Sequence, residues 1–307
     1  MTRRTFVTAP AASAALAQPS ASTPWTQFQM ACMTHPYASV PFARALEGIR
    51  AAGYSHVAWG TTHPSASGSR TPLLDVAAPP VRARELARQS NDAGLPPVMM
   101  FSMVMLEAAD AIEGHLRRIE QAAEAGIPYL LTFGKTSPGE YERAIACLRA
   151  IAPRAHDAGV LVTIKQHGGN TATGADCSRI LAEVAHQGVR MCYDAGNVLD
   201  YESHDPIADI RACWRDVRAF AIKDHRDWPR DEDCGPGFGS IDHYRLFEPV
   251  MRTGLTMPLA FENIFEPLKP RPRDATGIDA LARRAREYVS SVIDGLRLGL
   301  APGARQA

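Results

Sequence analysis

Eight short apolar runs, rich in β-branched or aromatic residues, alternate with longer helix-patterned segments from residue 28 onward. No other feature of the 307-residue chain constrains its fold as tightly. The spacing predicts strands over residues 28–33, 56–60, 98–103, 129–133, 160–167, 189–194, 217–224 and 258–264. Helices are predicted over 40–52, 81–93, 111–125, 140–158, 175–187, 206–216, 243–253 and 278–296. Gly53, Gly94, Gly126, Gly159, Gly188 and Gly254 follow six of these helices, where a left-handed cap favours a residue without Cβ. Strands separated by helices cannot form hairpins, so they pair in parallel through right-handed crossovers. The expected fold is therefore α/β: an eight-stranded parallel (β/α)8 TIM barrel. An open doubly wound sheet is the alternative, but Met30-Ala31-Cys32-Met33-Thr34-His35 offers no glycine-rich phosphate cradle after the first strand.

Residues 1–23 stand outside this pattern. Arg3-Arg4 precedes an alanine-rich run and the small-residue site Ala15-Leu16-Ala17, which reads as a twin-arginine export signal and implies a periplasmic or otherwise exported protein. A disordered alanine-rich leader on a cytoplasmic protein is the alternative. Residues 24–300 are then expected to form one catalytic domain and 301–307 a tail. Lys and Arg total 33 against 33 Asp and Glu, so no basic footprint for nucleic acid is present. No apolar run is long enough to span a bilayer. Six cysteines (Cys32, Cys147, Cys177, Cys192, Cys213, Cys234) lack C-x-x-C spacing and read mainly as small core residues.

Barrel chemistry sits where the C-terminal ends of different strands converge. The first four strands deliver His35, Trp59 with His63, Ser102 and Lys135; the last four are more polar. The fifth ends Lys165-Gln166-His167-Gly168-Gly169-Asn170, the sixth Asp194-Ala195-Gly196-Asn197, the seventh Lys223-Asp224-His225 and the eighth Glu262-Asn263. Side chains alternate along a strand, so Lys165 shares a face with His167, and Lys223 with His225. Ionised groups are seldom buried without partners, which marks these strand ends as functional, with a stabilising salt-bridge layer as the competing reading. Trp59 is expected to form an apolar wall for a substrate or to join the core. The glycine-rich stretch 233–242 reads either as a substrate-contacting loop or as a plain turn with Asp242 capping a helix.

At these residues the sequence resembles the xylose isomerase-like TIM-barrel superfamily, in particular its sugar phosphate isomerase/epimerase group. The motifs are Lys165-Gln166-His167-Gly168-Gly169, Asp194-Ala195-Gly196-Asn197, Ile222-Lys223-Asp224, Gly237-Phe238-Gly239-Ser240-Ile241-Asp242 and Glu262. The resemblance implies a divalent metal held by Glu, Asp, His and Glu on strands five to eight. Asp194 and Glu262 match; Lys165 and Ala221 stand at the other two positions. Two repairs follow. Lys165 replaces the cation, held by Asp194 and Glu262, either as an ammonium or, with its pKa lowered by burial, as a base or Schiff-base nucleophile. Alternatively His167 and His225 join Asp194 and Glu262 in a mixed site for Mn2+ or Zn2+.

The expected activity is isomerisation or epimerisation of a keto-sugar or related small carbohydrate, or its elimination by a lyase, through proton abstraction next to a carbonyl. Glu262 is the expected base with His167 as alternate; Lys165 stabilises the oxyanion and Asp194 orients it. Lys223, Asp224, His225, Asn197, Trp59 and His35 are the expected substrate contacts. A sugar-binding module that has lost catalysis is the alternative; a nuclease fits poorly with the neutral charge.

Overall fold

The computed structural model describes residues 24–65, 68–272 and 274–300. The twin-arginine motif and the 301–307 tail lie outside the described residues. The barrel strands are β1 (Gln27–Met33), β2 (His56–Trp59), β3 (Pro97–Met105), β4 (Tyr129–Phe133), β5 (Leu161–Lys165), β6 (Val189–Tyr193), β7 (Val217–Ile222) and β8 (Thr256–Phe261). Each pairs in parallel with its neighbours, and β1 pairs with both β2 and β8, closing the barrel. The helices are α1 (Phe42–Ala51), α2 (Pro80–Asp92), α3 (Ala111–Glu124), α4 (Tyr141–Asp157), α5 (Gly174–Val184), α6 (Ala195–Glu202), α7 (Pro206–Cys213), α8 (His243–Phe247) and α9 (Ala275–Gly299). No helix among the described residues is long and apolar enough to cross a membrane.

Alternation along the strands builds two apolar layers. Ala31, Met33, Ala58, Met99, Phe101, Leu131, Cys192, Ala219, Ala221 and Ala260 pack together inside the barrel. Their outward neighbours, such as Cys32, Val57, Trp59, Met100, Leu130, Phe220 and Phe261, pack against the helices. Many inner residues are small, which leaves room toward the C-terminal mouth for long polar side chains. All six cysteines are free and buried.

Three local expectations need correction. Gly53, Gly94, Gly126, Gly159 and Gly254 have positive φ, but Gly188 does not; Ala185, at φ 51°, ends α5 in the left-handed region instead. Strands β5, β7 and β8 stop at Lys165, Ile222 and Phe261, earlier than the apolar pattern predicts. Beyond β6 and β7 the chain builds structure that the pattern did not announce: α6, and a two-stranded antiparallel ribbon pairing Asp224–Arg226 with Glu232–Cys234.

Candidate functional site

Lys165 ends β5 pointing into the barrel, where its side chain is 2% exposed. Its Nζ donates to Asp194 Oδ2 and to Glu262 Oε2, each at 2.8 Å. Residues 29 and 97 positions away in sequence thus meet on one ammonium. Burial alone would push that ammonium down, but Asp194 and Glu262 together hold it above the ordinary lysine range. Burial would likewise raise Glu262; Lys165, and then Lys223, overcome this and hold its carboxyl at about 2. Glu262 remains 20% exposed, so the cluster is reachable from the mouth.

Each partner is fixed locally. Asp194 caps α6, accepting from Asn197 N at 3.0 Å through Oδ1 while Oδ2 faces Lys165. Its own amide donates to Gln166 Oε1 at 2.8 Å. Lys223 reaches Asp233, which the ribbon presents. Burial lowers the Lys223 ammonium, yet Asp194 and Glu262 outweigh that and leave it raised. The stem of Lys223 lies on Gly196: a Cβ there would stand 2.6 Å from Lys223 Cε and 2.7 Å from Cγ.

His167 shares the inward side with Lys165, as alternation predicts. Its Nδ1 donates to Gly134 O at 3.0 Å, which leaves the lone pair on Nε2. The ring centroid lies 4.3 Å from that of Phe133 and 5.5 Å from that of Tyr201. Burial holds the imidazole below the ordinary histidine range, only partly offset by its bond to Gly134. The chain turns sharply after it because Gly168 and Gly169 adopt φ of 72° and 56°. A Cβ on Gly169 would stand 2.4 Å from Lys135 O.

Other expected substrate contacts are placed elsewhere. Trp59 faces away from the barrel interior, because its neighbour Ala58 faces in, and its Nε1 donates to Ser90 Oγ on α2 at 3.3 Å. Asp224 is fully buried and accepts from the amides of His225, Gly237 and Ile241 at 2.9, 2.9 and 3.1 Å, so it pins the glycine-rich loop. Gly239 is required beside it: a Cβ there would meet both Asp224 Oδ1 and His225 O at 2.3 Å. Asn197 is buried and donates to Gln166 O at 2.6 Å, tying α6 to the end of β5. His35 stays at the mouth. Its imidazole is lowered by desolvation, against the upward pull of Glu262.

The mixed site of His167 and His225 with Asp194 and Glu262 is not formed: among the described residues the ligand atoms of these four do not gather into one group, and His225 sits on the ribbon with Nδ1 3.3 Å from Asp233 Oδ1. His225, Asp200 and Asp233 form a separate candidate cation cluster. Sequence reasoning missed Asp200, Phe133 and Tyr201, and it reached Asp233 only as the first residue of the glycine-rich stretch. Asp233 lies in the acidic run Asp231-Glu232-Asp233, whose pairing with the segment after β7 was the signal available.

Residues 46–287 match the profile of the family described as xylose isomerase-like TIM barrel. No curated protein sequence matches the chain. Among solved structures, an L-ribulose 3-epimerase superposes with a TM-score of 0.69 at 17% identity, over 91% of this chain and 99% of that one. A xylose isomerase-like TIM barrel protein from Mycobacterium smegmatis, in complex with magnesium, gives 0.66 at 16% identity over 89% and 97%. A fusion of a xylose isomerase-like TIM barrel with 4-hydroxyphenylpyruvate dioxygenase gives 0.66 at 18% identity over 90% of this chain, which spans only 44% of the fusion. At such identities the likeness shows a shared barrel.

Proposed function

Because the chain belongs to the xylose isomerase-like TIM-barrel family, we propose that it is a sugar isomerase or epimerase that removes a proton next to a substrate carbonyl, with the Lys165 ammonium standing where relatives hold a divalent metal. The observation that carries this reading is the pair of 2.8 Å bonds from Lys165 Nζ to Asp194 and Glu262. The residues do not fit a metal in that place. The ammonium takes the carboxylate oxygens that a metal would need, and Ala221, at the position of the family's histidine, contributes only a methyl group to the inner layer. No step is therefore routed through a metal.

Enolisation needs a base at the acidic carbon and a positive group at the oxygen where charge develops. Lys165 is suited to the second role: its pair of carboxylates keeps it protonated, which disfavours action as a base or Schiff-base nucleophile. Glu262 is bound to Lys165 and lies in the field of Lys223, so its carboxylate is a weak base. His167 is the better proton acceptor, being neutral at pH 7 with Nε2 carrying the lone pair and Nδ1 anchored. Glu262 and Asp194 then hold the ammonium in position, and Lys223, anchored by Asp233, supplies a second cation for substrate oxygens.

The test is to incubate the protein with a panel of keto-sugars in deuterated water and follow C–H exchange by NMR. Exchange at a carbon next to the carbonyl, lost in Lys165→Met and His167→Asn, supports the assignment. The replacement of two family ligands by Lys165 and Ala221 also favours a second reading, a sugar-binding module without catalysis. Calorimetric sugar binding with no exchange at any carbon would select it.

A further inference from the structure

The ribbon after β7 carries a polar cluster separate from the Lys165 ion pairs. His225 is 1% exposed, yet four carboxylates surround its ring. Nδ1 lies 3.3 Å from Asp233 and 4.0 Å from Asp200, and Nε2 lies 3.3 Å from Asp227 and 3.4 Å from Asp231. Despite its burial, Nε2 has no hydrogen-bond partner. The ligand atoms of Asp200, His225 and Asp233 all lie within 4.8 Å of one another. Asp200 and Asp233 bring two negative charges to the same ring nitrogen. Lys223 offsets part of this charge from the other oxygen of Asp233. Arg226 and Arg230 on the same ribbon are turned to Trp228 O and Glu232.

We propose that His225, Asp200 and Asp233 bind one divalent cation of the Mn2+ or Zn2+ class, through Nδ1 and one oxygen of each carboxylate. One imidazole with carboxylates is a mixed N/O donor set suited to those ions. With the ion on Nδ1 the ring proton sits on Nε2, which lies 3.3 Å from Asp227 and 3.4 Å from Asp231. A dication also relieves the repulsion among carboxylates that one ammonium leaves. Because Asp233 holds Lys223 with its second oxygen, the bound ion would fix where that ammonium sits. The site takes no part in the proton abstraction proposed above and touches that reaction only through the position of Lys223, so ion binding can be tested without it.

Titration of the full chain with Mn2+ alone, reading free ion by electron paramagnetic resonance, tests the proposal. One ion per chain is expected in the wild type and in Glu262→Gln, with binding at least tenfold weaker in Asp200→Asn and in His225→Gln. Asp200 is partly exposed, so its variant is the one expected to fold normally, with circular dichroism as the check. The proposal is overturned if no Mn2+ binds below millimolar concentration or if Asp200→Asn binds as the wild type does. Loss of binding in Glu262→Gln alone would also overturn it, by placing the ion at the barrel centre.

Discussion

The two halves of the barrel mouth use their polar residues differently. After β1, His35 stays at the mouth, but on β2 to β4 the polar side chains find partners away from the barrel centre. Trp59 bonds Ser90, Ser102 bonds the Val104 backbone and lies beside His115 and Thr132, and Lys135 pairs with Glu140. On β5 to β8, Lys165, Asp194 and Glu262 turn inward and meet, and Lys223, bonded to Asp233, lies within the field of both carboxylates. The difference lies in strand phase. At the end of β2 and in β3 the inward places go to Ala58 and Phe101, whereas at the end of β5 the inward place goes to Lys165. A charge that lands inward must be matched by another, and matching charges from several strands make a site.

The largest effect should come from removing the central cation. Lys165→Met leaves two carboxylates facing each other, so the exchange rate should fall by roughly a thousandfold, in line with the loss of an oxyanion-stabilising donor. Denaturant unfolding should show a loss of about 3–5 kcal/mol, as for breaking a buried ion pair. Retention of activity would erase the distinction between the halves.

His167→Asn should reduce exchange by about a hundredfold or more without a comparable stability loss. The pH–rate profile sharpens this assignment. Burial holds the imidazole below the ordinary value, and the base form is lost as pH falls through the lowered value. The acid limb should therefore lie below about pH 6.5 and disappear in the variant. Next in size is Gly196→Ala, whose methyl group would press on the Lys223 stem; a roughly tenfold rise in KM, with kcat less affected, is expected if Lys223 binds substrate oxygens. The smallest effect belongs to the first half. Trp59→Phe should cost about 1 kcal/mol of stability, through its lost hydrogen bond and packing, and leave KM unchanged. A raised KM would return Trp59 to the substrate wall.

Strand phase also explains what was legible in the sequence. The eight βα units could be counted because period-two and period-3.6 patterns survive in each segment, and alternation sufficed to put Lys165 and His167 on one side. It failed after β7. β7 stops at Ile222, so Asp224 and His225 belong to a ribbon whose partner strand lies beyond a turn, and no periodicity discloses that Asp224 accepts three backbone amides. Trp59 was open to two readings because polarity and size did not reveal its phase; its neighbour Ala58 did. Asp233 was hidden because its role depends on tertiary pairing with Lys223.

In the proposed reaction a lysine ammonium does the work of a metal ion at the barrel centre. The most direct measurement is deuterium incorporation into a keto-sugar by protein stripped of metals and verified by elemental analysis, with Lys165→Met alongside. The expected result is incorporation by the metal-free wild type and none above background by the variant. A metal-free wild type that is inert and becomes active only when Mn2+ is restored, with Asp200→Asn restored just as well, would contradict it.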